Sequence, residues 1–283
     1  MLERRIYAYI IKVKIELLQF NITDMKKGKV LKIIADLHTH TLASAHAYST
    51  LKENIEFAKE TGLSFLGISD HAPALEGIPH ESYFHNLKVV RKDWDNLTVL
   101  RGAELNILNK DGEVDISEKT LCMLDYTVAS LHYPIIPENN RDICTEAAVS
   151  VMNNPYVFII GHPDDTRTPL DYKSLVLAAR HNHVALEVNN SSLRPHSYRQ
   201  NAAENYREML KLARNMEVSV IVSSDSHIYY DIGNCSLALT LLDEYAFPEE
   251  LVVNSTAERL VCFFERRKKV ALSGSKNSLP FAG

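Results

Sequence analysis

Cysteine is scarce in this sequence and is not arranged in pairs. The 283 residues include four cysteines, and no two of them form a C-x-x-C motif. This spacing argues against a cysteine metal site and is typical of proteins from a reducing compartment. The sequence therefore predicts a cytoplasmic location.

The chain also lacks a long uncharged hydrophobic run. The stretch 2–20 is apolar in places, but charged side chains such as Glu3, Lys12 and Glu16 interrupt it. It is too polar for a signal-peptide core or a membrane span, so we expect no membrane partner. We interpret residues 1–32 as a poorly ordered basic extension, with a peripheral amphipathic helix as the alternative and Met25 as a candidate natural start.

Outside this extension, the chain has no basic stripe. The first 33 residues carry eight basic and three acidic side chains, which leaves a net charge of −10 on the other 250. An acidic body is a poor electrostatic partner for nucleic acid, so we expect no nucleic-acid partner. A small phosphorylated metabolite stays compatible, because bound divalent cations would make a site locally positive. The sequence does not indicate an oligomeric state.

No Gly/Ser-rich linker and no internal repeat divides the body of the chain. Its length and its hydrophobic content of 46% suit a single α/β barrel. We predict one domain over residues 33–267. Residues 268–283, where serine, glycine and proline follow a basic run, are interpreted as a disordered tail.

Short β-branched runs alternate with longer amphipathic segments through this domain. Candidate strands lie near 33–37, 65–69, 98–104, 126–131, 157–161, 184–189 and 218–224. Candidate helices lie near 50–61, 82–94, 141–153, 170–181, 200–215, 236–243 and 255–265. The first helix opens on a capping box formed by Thr50 and Glu53. Seven βα units of this length predict a barrel of parallel strands.

Side chains that bind metals recur at or just beyond the ends of these apolar runs: His38, His40, His46, His71, Glu104, His132, His162, Asp225 and His227. Because the carboxyl ends of parallel strands meet at one rim, we expect these side chains to converge there. His38 and His40, two residues apart in an extended segment, point to the same side and can share one metal. Asp36 is a candidate outer partner for them. The similar pair His181 and His183 precedes its strand and is interpreted as surface or capping residues.

Nine ligands exceed what one metal can use, since a catalytic zinc takes about three protein ligands. Two or three metals are therefore expected, and the carboxylate of Glu104 is suited to bridging two of them. The imidazole-rich set favours Zn²⁺, with Mn²⁺ or Fe²⁺ as alternatives. Adjacent cations of this kind suit phosphate-ester hydrolysis, although amide hydrolysis uses similar sites.

These motifs resemble the PHP family (polymerase and histidinol phosphatase), most closely its YcdX-type metal-dependent phosphatases. The similarity covers roughly residues 34–265, and it includes the DLHTH segment at 36–40, SDH at 69–71, GHP at 161–163 and SDSH at 224–227. The resemblance implies a distorted (β/α)7 TIM-like barrel, the PHP fold, with three metals, and Zn²⁺ is the expected ion. By analogy, three groups of residues hold them: His38, His40, Glu104 and Asp225; Glu104, His132 and His162; His46, His71 and His227.

The implied activity is hydrolysis of a small phosphomonoester by a metal-activated hydroxide. Glu104, Asp225 and His227 would act through the bound metals, without a separate protein nucleophile. Arg167 and Arg194 are candidate phosphate ligands, because a guanidinium matches phosphate oxygens bidentately. Three alternatives stay open: a histidinol-phosphate phosphatase, a phosphodiesterase or nuclease, and a non-catalytic metal-binding domain.

Overall fold

The structure, a computed structural model, describes residues 31–133, 135–136 and 139–274, with backbone alone at 271–274. The predicted N-terminal extension up to residue 30, and residues 275–283 of the predicted tail, lie outside this range. Nine short strands occur within it: β1 (Ala35–Asp36), β2 (Phe65–Ile68), β3 (Asp93–Trp94), β4 (Leu97–Arg101), β5 (Glu104–Asn106), β6 (Val128–Ser130), β7 (Ile159–Gly161), β8 (Ala185–Asn189) and β9 (Val220–Ser223).

The strands form two sheets that together make a distorted barrel. The first has the order β1-β2-β4-β3, and the second has the order β5-β6-β7-β8-β9. Every neighbouring pair is parallel except β3 with β4, which is the antiparallel edge. Isolated parallel bridges, His71 with Glu104 and Thr39 with Ser226, connect the two sheets at both sides. The predicted parallel α/β barrel is therefore confirmed.

The buried side chain of Asn254 bridges β1 and β9. Its Nδ2 donates to the carbonyl oxygens of Ala35 and Val222, both at 2.7 Å, and its Oδ1 accepts from the Val222 amide at 3.2 Å. The amide side chain thus replaces the backbone pairing that these two strands do not make directly.

Eight helices are described, and most of them cover the outside of the sheets: α1 (Leu51–Glu60), α2 (Ser82–Asn86), α3 (Glu118–Leu121), α4 (Arg141–Val151), α5 (Tyr172–Asn182), α6 (Ala202–Asn215), α7 (Ser236–Glu244) and α8 (Ala257–Gly274). The predicted capping box of α1 is present. The Thr50 side chain accepts from the Glu53 amide at 3.3 Å, and the Glu53 carboxylate accepts from the Thr50 amide at 2.7 Å. Within the described part of the chain, no helix is long and apolar enough to span a bilayer.

Three segments differ from the sequence-based expectation. The predicted strand 98–104 is divided into β4 and β5 at Gly102, where an added Cβ would lie 2.5 Å from the Tyr126 ring. The predicted helix 82–94 ends at Asn86 and continues as a short 3-10 helix at Leu87–Val89. Its last two residues form β3, which a tight turn with Asp95 at φ 58° pairs antiparallel to β4. Helix α8 continues to Gly274, seven residues beyond the domain boundary expected at 267.

Candidate metal centre

All nine predicted ligands lie at the carboxyl end of the barrel. Seven of them come directly from or just beyond β1, β2, β6, β7 and β9, while Glu104 begins β5. His46 lies in the loop that follows a short 3-10 helix at Leu42–Ser44, after β1. The side chains thus converge on one rim, as expected.

Glu104, fully buried, lies at the middle of the cluster. Its Oε1 is 2.9 Å from Nε2 of His162 and 3.2 Å from Nε2 of His132. On the other side, its Oε2 is 2.6 Å from Nδ1 of His71 and 3.7 Å from Nε2 of His40. His38 also approaches, with Nε2 at 3.3 Å from Oε1. One carboxylate therefore contacts imidazoles from five separate positions along the chain.

Asp225 supplies a second carboxylate on the side of the first histidine pair. Its Oδ1 lies 3.2 Å from Nε2 of His40 and 3.6 Å from Nε2 of His38. The backbone of Asp225 is left-handed, with φ 54°, and that of His162 has φ 26°. Non-glycine residues rarely adopt these values, and such strain is concentrated at functional sites.

A third group consists of imidazoles alone. Nε2 of His46 lies 3.3 Å from Nε2 of His71 and 2.9 Å from Nε2 of His227. Burial and the neighbouring His227 and His71 rings lower the pKa of His46 to about 4, so it is neutral at pH 7. Ring nitrogens this close need a shared proton or a shared cation between them.

Four buried nitrogen and oxygen atoms of the cluster lack hydrogen-bond partners within the described part of the chain, and this indicates whether the cluster suits a cation. Among the described residues, no hydrogen-bond partner satisfies Nε2 of His38, Nε2 of His40, Nδ1 of His71 or Oε2 of Glu104. Buried polar atoms without partners are rare and costly, unless an ion or water completes them. His71 Nδ1 and Glu104 Oε2 approach to 2.6 Å without the alignment of a hydrogen bond. The donor atoms therefore fit metal ions, and three groups of them each lie within 4.8 Å of one another.

The second ring nitrogen of several histidines has its own partner. Nδ1 of His38 lies 2.8 Å from Glu187, Nδ1 of His40 lies 3.0 Å from Ser44, and Nδ1 of His132 lies 2.7 Å from Asn106. Such contacts fix the ring orientation and leave Nε2 as the ligand nitrogen. Glu187 and Asn106 come from segments 149 and 26 positions away from their histidines, whereas Ser44 lies only four residues after His40.

Asp36 does not take the outer role that was predicted for it. Its Oδ1 accepts from the backbone amides of Ser224 at 3.1 Å and His38 at 3.4 Å, and its Oδ2 accepts from the Gly233 amide at 2.8 Å. The carboxylate is fully used in tying β1 to the loop beyond β9. Glu187, which reaches the His38 ring from β8, holds that ring instead.

The protonation states also suit cation binding. Burial opposes ionisation of Glu104 and Asp225, but nearby cationic groups, including His38, outweigh it and hold both pKa values well below the usual range. Burial likewise lowers the pKa of His162 to about 4 and that of His40 well below its usual value. Ionised carboxylates and neutral imidazoles are the forms that bind metals. His38 is the exception: burial lowers its pKa, but the carboxylates of Glu187, Glu104 and Asp225 outweigh burial and raise it, so a cation bound there would displace a proton.

The two arginines proposed as phosphate ligands already have carboxylate partners. Arg167 holds Asp165 through Nε at 2.9 Å and NH2 at 2.5 Å, and its guanidinium lies over the rings of Tyr133 and Tyr198. Arg194 donates to Asp231 at 2.8 Å. A third arginine, missed by the sequence analysis, reaches the cluster: both terminal nitrogens of Arg199 lie 3.1 Å from Oδ2 of Asp225.

A parallel βα barrel that brings imidazoles and carboxylates together at its strand ends belongs to the class of barrel proteins whose functional groups lie at the carboxyl ends of the strands. Comparison with known proteins gives the family. The PHP domain model matches residues 36–262, and the chain belongs to the PHP family. Probable phosphatases are among its relatives. One from Clostridium novyi is 37% identical over 240 residues, covering 85% of this chain and 98% of the relative. One from Clostridium acetobutylicum is 39% identical over 241 residues, with coverage of 85% and 98%.

Solved structures show the same fold at low sequence identity. The histidinol phosphate phosphatase of Lactococcus lactis, a crystal structure complexed with zinc, L-histidinol and phosphate, has a TM-score of 0.52 and 15% identity, covering 76% of this chain and 94% of that chain. A putative histidinol phosphatase of Listeria monocytogenes has a TM-score of 0.52 and 18% identity, with coverage of 70% and 97%. At these identities the likeness concerns the fold alone, and the fold is the distorted TIM barrel of the PHP family.

Proposed function

We propose that this protein is a metal-dependent phosphatase that hydrolyses small phosphomonoesters at a trinuclear site. The observation that carries the proposal is the convergence of nine imidazole and carboxylate side chains on one rim, with four of their buried atoms lacking partners within the described residues. More donors are present than one cation can use. Sequence relatives named probable phosphatases support the reaction class.

The contacts support a division of the ligands into three groups, as the family resemblance implies. Glu104 is assigned to two groups, because its Oε1 lies 2.9 Å from His162 and 3.2 Å from His132, while its Oε2 lies 3.7 Å from His40. Its Oε2 also lies 2.6 Å from Nδ1 of His71, so the third group adjoins the same carboxylate. The groups are His38, His40, Glu104 and Asp225; Glu104, His132 and His162; and His46, His71 and His227. Three Zn²⁺ ions are the proposed occupants, with Mn²⁺ or Fe²⁺ as alternatives.

Bound divalent cations would lower the pKa of a water molecule towards neutrality and neutralise charge on a phosphate group. The chain itself supplies fixed positions for them. Glu104, Asp225 and His227 are the residues through which we expect catalysis to act: Glu104 would be shared by two of the cations, Asp225 would hold the first and His227 the third. Arg167 is the better placed of the two candidate phosphate ligands, since its stacking partner Tyr198 adjoins Arg199 at the cluster.

The natural substrate is proposed only by class. The Lactococcus lactis structure contains L-histidinol and phosphate, but its low identity carries no substrate over to this chain. Histidinol phosphate therefore enters as one compound of a substrate panel, beside other small phosphomonoesters.

The deciding experiment measures metal content and hydrolysis on one purified sample. An aryl phosphomonoester and the corresponding bis-ester serve as substrates, and His38→Ala is compared with the wild type. His181→Ala is the matched control, because that histidine lies on the exposed surface of α5. We expect about three metals per chain and monoesterase activity in the wild type and the control, and loss of both in His38→Ala. Cleavage of the bis-ester alone would indicate a diesterase, and a fully metallated protein without turnover would indicate a binding role.

A further inference from the structure

The two oxygens of the Asp225 carboxylate have different surroundings. Oδ1 faces the ring nitrogens of His40 and His38, at 3.2 and 3.6 Å. Oδ2 faces away from them and accepts three hydrogen bonds, two from the Arg199 guanidinium and one from Nδ2 of Asn189, all at 3.1 Å. One oxygen is thus saturated by the protein, and the other is directed at the proposed metal ligands.

We propose that Arg199 is a positioning residue that, together with Asn189, occupies Oδ2 of Asp225 and restricts this ligand to a single metal-binding oxygen. The inference rests on the metal-binding part of the proposed function. A carboxylate with both oxygens free can bind one cation through either or both of them. Restricting Asp225 to Oδ1 therefore keeps a coordination position open for water or substrate.

Arg199 is itself held in place by a buried chain of hydrogen bonds. Its NH1 donates to the Ser192 hydroxyl at 3.1 Å, and that hydroxyl donates to Oδ1 of Asp164 at 3.2 Å. The Tyr206 hydroxyl donates to the same Asp164 oxygen at 2.8 Å. Because all of these side chains are buried, the guanidinium has little freedom to turn away from Asp225.

The orientation of Asn189 is fixed in the same network. Its Oδ1 accepts from the backbone amide of Ser192 at 3.1 Å, so its Nδ2 must point the other way. That nitrogen donates to Oδ2 of Asp225 and, at 3.2 Å, to Oε2 of Glu187. Ser192 therefore positions both donors to Asp225, one through its hydroxyl and the other through its backbone amide.

A direct contact between Arg199 and the substrate phosphate is the competing role. The side chain of Arg199 is only 5% exposed, against 28% for Arg167, and its terminal nitrogens already have partners. A phosphate ligand would need free donors directed at the solvent-facing side of the site. The burial and the occupied donors favour positioning over phosphate binding.

The test uses the whole protein loaded with Co²⁺, whose visible d–d bands weaken when the coordination number rises. In Arg199→Met, Oδ2 loses two of its three donors, so we expect weaker bands than in the wild type. We also expect kcat to fall by about 10- to 100-fold, as is common for partners of metal ligands, with KM nearly unchanged. Arg199→Lys keeps the charge, so its cobalt band intensity and its kcat should lie between those of Arg199→Met and the wild type. The matched control is Arg259→Met on α8, which removes an arginine from an ion pair with Glu249.

An unchanged cobalt spectrum in a fully loaded, folded Arg199 variant would overturn the inference. A rise in KM and in the inhibition constant of inorganic phosphate, without a spectral change, would assign Arg199 to substrate binding instead. If Arg199→Met does not fold, Arg199→Lys decides by the same criteria. Failure of the wild type to bind cobalt would overturn the metal site itself, which separates that outcome from failure of the positioning role.

Discussion

Nε2 of His46 lies 2.9 Å from Nε2 of His227, although the two residues are 181 positions apart in the chain. Nδ1 of His227 lies 3.0 Å from the backbone oxygen of Asp225 and is placed to donate to it, which leaves Nε2 as an acceptor. A proton on Nε2 of His46 would join the two nitrogens by a hydrogen bond, and a cation bound by both would take the place of that proton. We assign the pair to the outermost of the proposed cation positions.

His46→Ala should remove one metal and leave the others. Among the proposed ligands, the described contacts of the His46 ring are with the His71 and His227 rings, so its loss affects the outer group alone. We expect the metal content to fall from about three to about two per chain, since two imidazoles hold a cation poorly. Elemental analysis after gel filtration measures this. His181→Ala should keep the wild-type content, and an unchanged content in His46→Ala would contradict the ligand grouping.

Glu187→Gln should weaken metal binding without unfolding the protein. Burial works against a charged His38, but the carboxylates of Glu187, Glu104 and Asp225 outweigh it and raise the pKa of that ring. Glutamine keeps the size of the side chain and removes the charge that orients the ring. We expect the affinity for Zn²⁺ at the group of His38, His40, Glu104 and Asp225 to fall by about 10- to 100-fold. Competition with a chelator measures this affinity.

The control for this substitution is Glu208→Gln on the exposed side of α6. It makes the same chemical change away from the histidine cluster. Equal affinities in both variants would show that Glu187 does not support the metal ligand His38.

Asp164 should give a measurable pH dependence of stability. Burial raises the pKa of its carboxyl from 3.8 to about 6, although Arg199 and the hydroxyls of Tyr206 and Ser192 oppose the shift. The folded protein thus keeps a proton that the unfolded chain loses, so this contribution favours folding at low pH and is lost as pH rises from about 4 to about 6. The loss is on the order of 3 kcal/mol.

Urea unfolding of metal-free protein between pH 4 and pH 7 tests this expectation. Asp164→Asn cannot ionise, so its stability relative to the wild type should increase over that interval. Asp243→Asn is at an exposed position of α7, and its free energy of unfolding should change with pH in the same way as that of the wild type. Parallel curves for Asp164→Asn as well would show that the carboxyl group titrates normally in the folded protein.

The sequence predicted those parts of the fold that depend on local pattern. The run that leads into Ser69, Asp70 and His71 is a short apolar segment, so both the strand and the polar end at the rim were predictable. The break at Gly102 was not, because it depends on the Tyr126 ring, which needs the space that a Cβ would fill. The hairpin at Asp95 likewise depends on one left-handed residue within an apparently helical segment.

The same distinction applies to the site. The convergence of the proposed ligands was predictable because each carries metal-binding chemistry and most follow a strand. Their supporting residues were not, since Glu187 lies 149 positions from His38, and Arg199 precedes a helix without any motif of its own. His46 is intermediate: it was included, but its grouping came from the family resemblance and not from its spacing in a loop.

Arg267 should be essential for stability and dispensable for activity. Its side chain is fully buried, and its described hydrogen bonds go to four backbone carbonyls, those of Val157, Asn182, Met152 and Asn154, at 2.5–2.9 Å. Val157 precedes β7, so this contact lies at the end of the strand opposite to His162. Arg267→Met leaves these buried acceptors without their donor, and we expect a loss of about 3 kcal/mol or more in the free energy of unfolding.

Denaturant unfolding and kcat/KM, measured on the same preparations, distinguish the two expectations for Arg267. The neighbouring exposed Arg266→Met is the matched control and should change neither quantity. Because Arg267 contacts the ends of α4 and α5 and not the histidine cluster, kcat/KM per folded molecule should stay within about twofold of the wild type. A stable Arg267→Met would show that water can replace the guanidinium at these carbonyls. A large drop in kcat/KM with stability retained would mean that packing at this end of the barrel is transmitted to the metal centre.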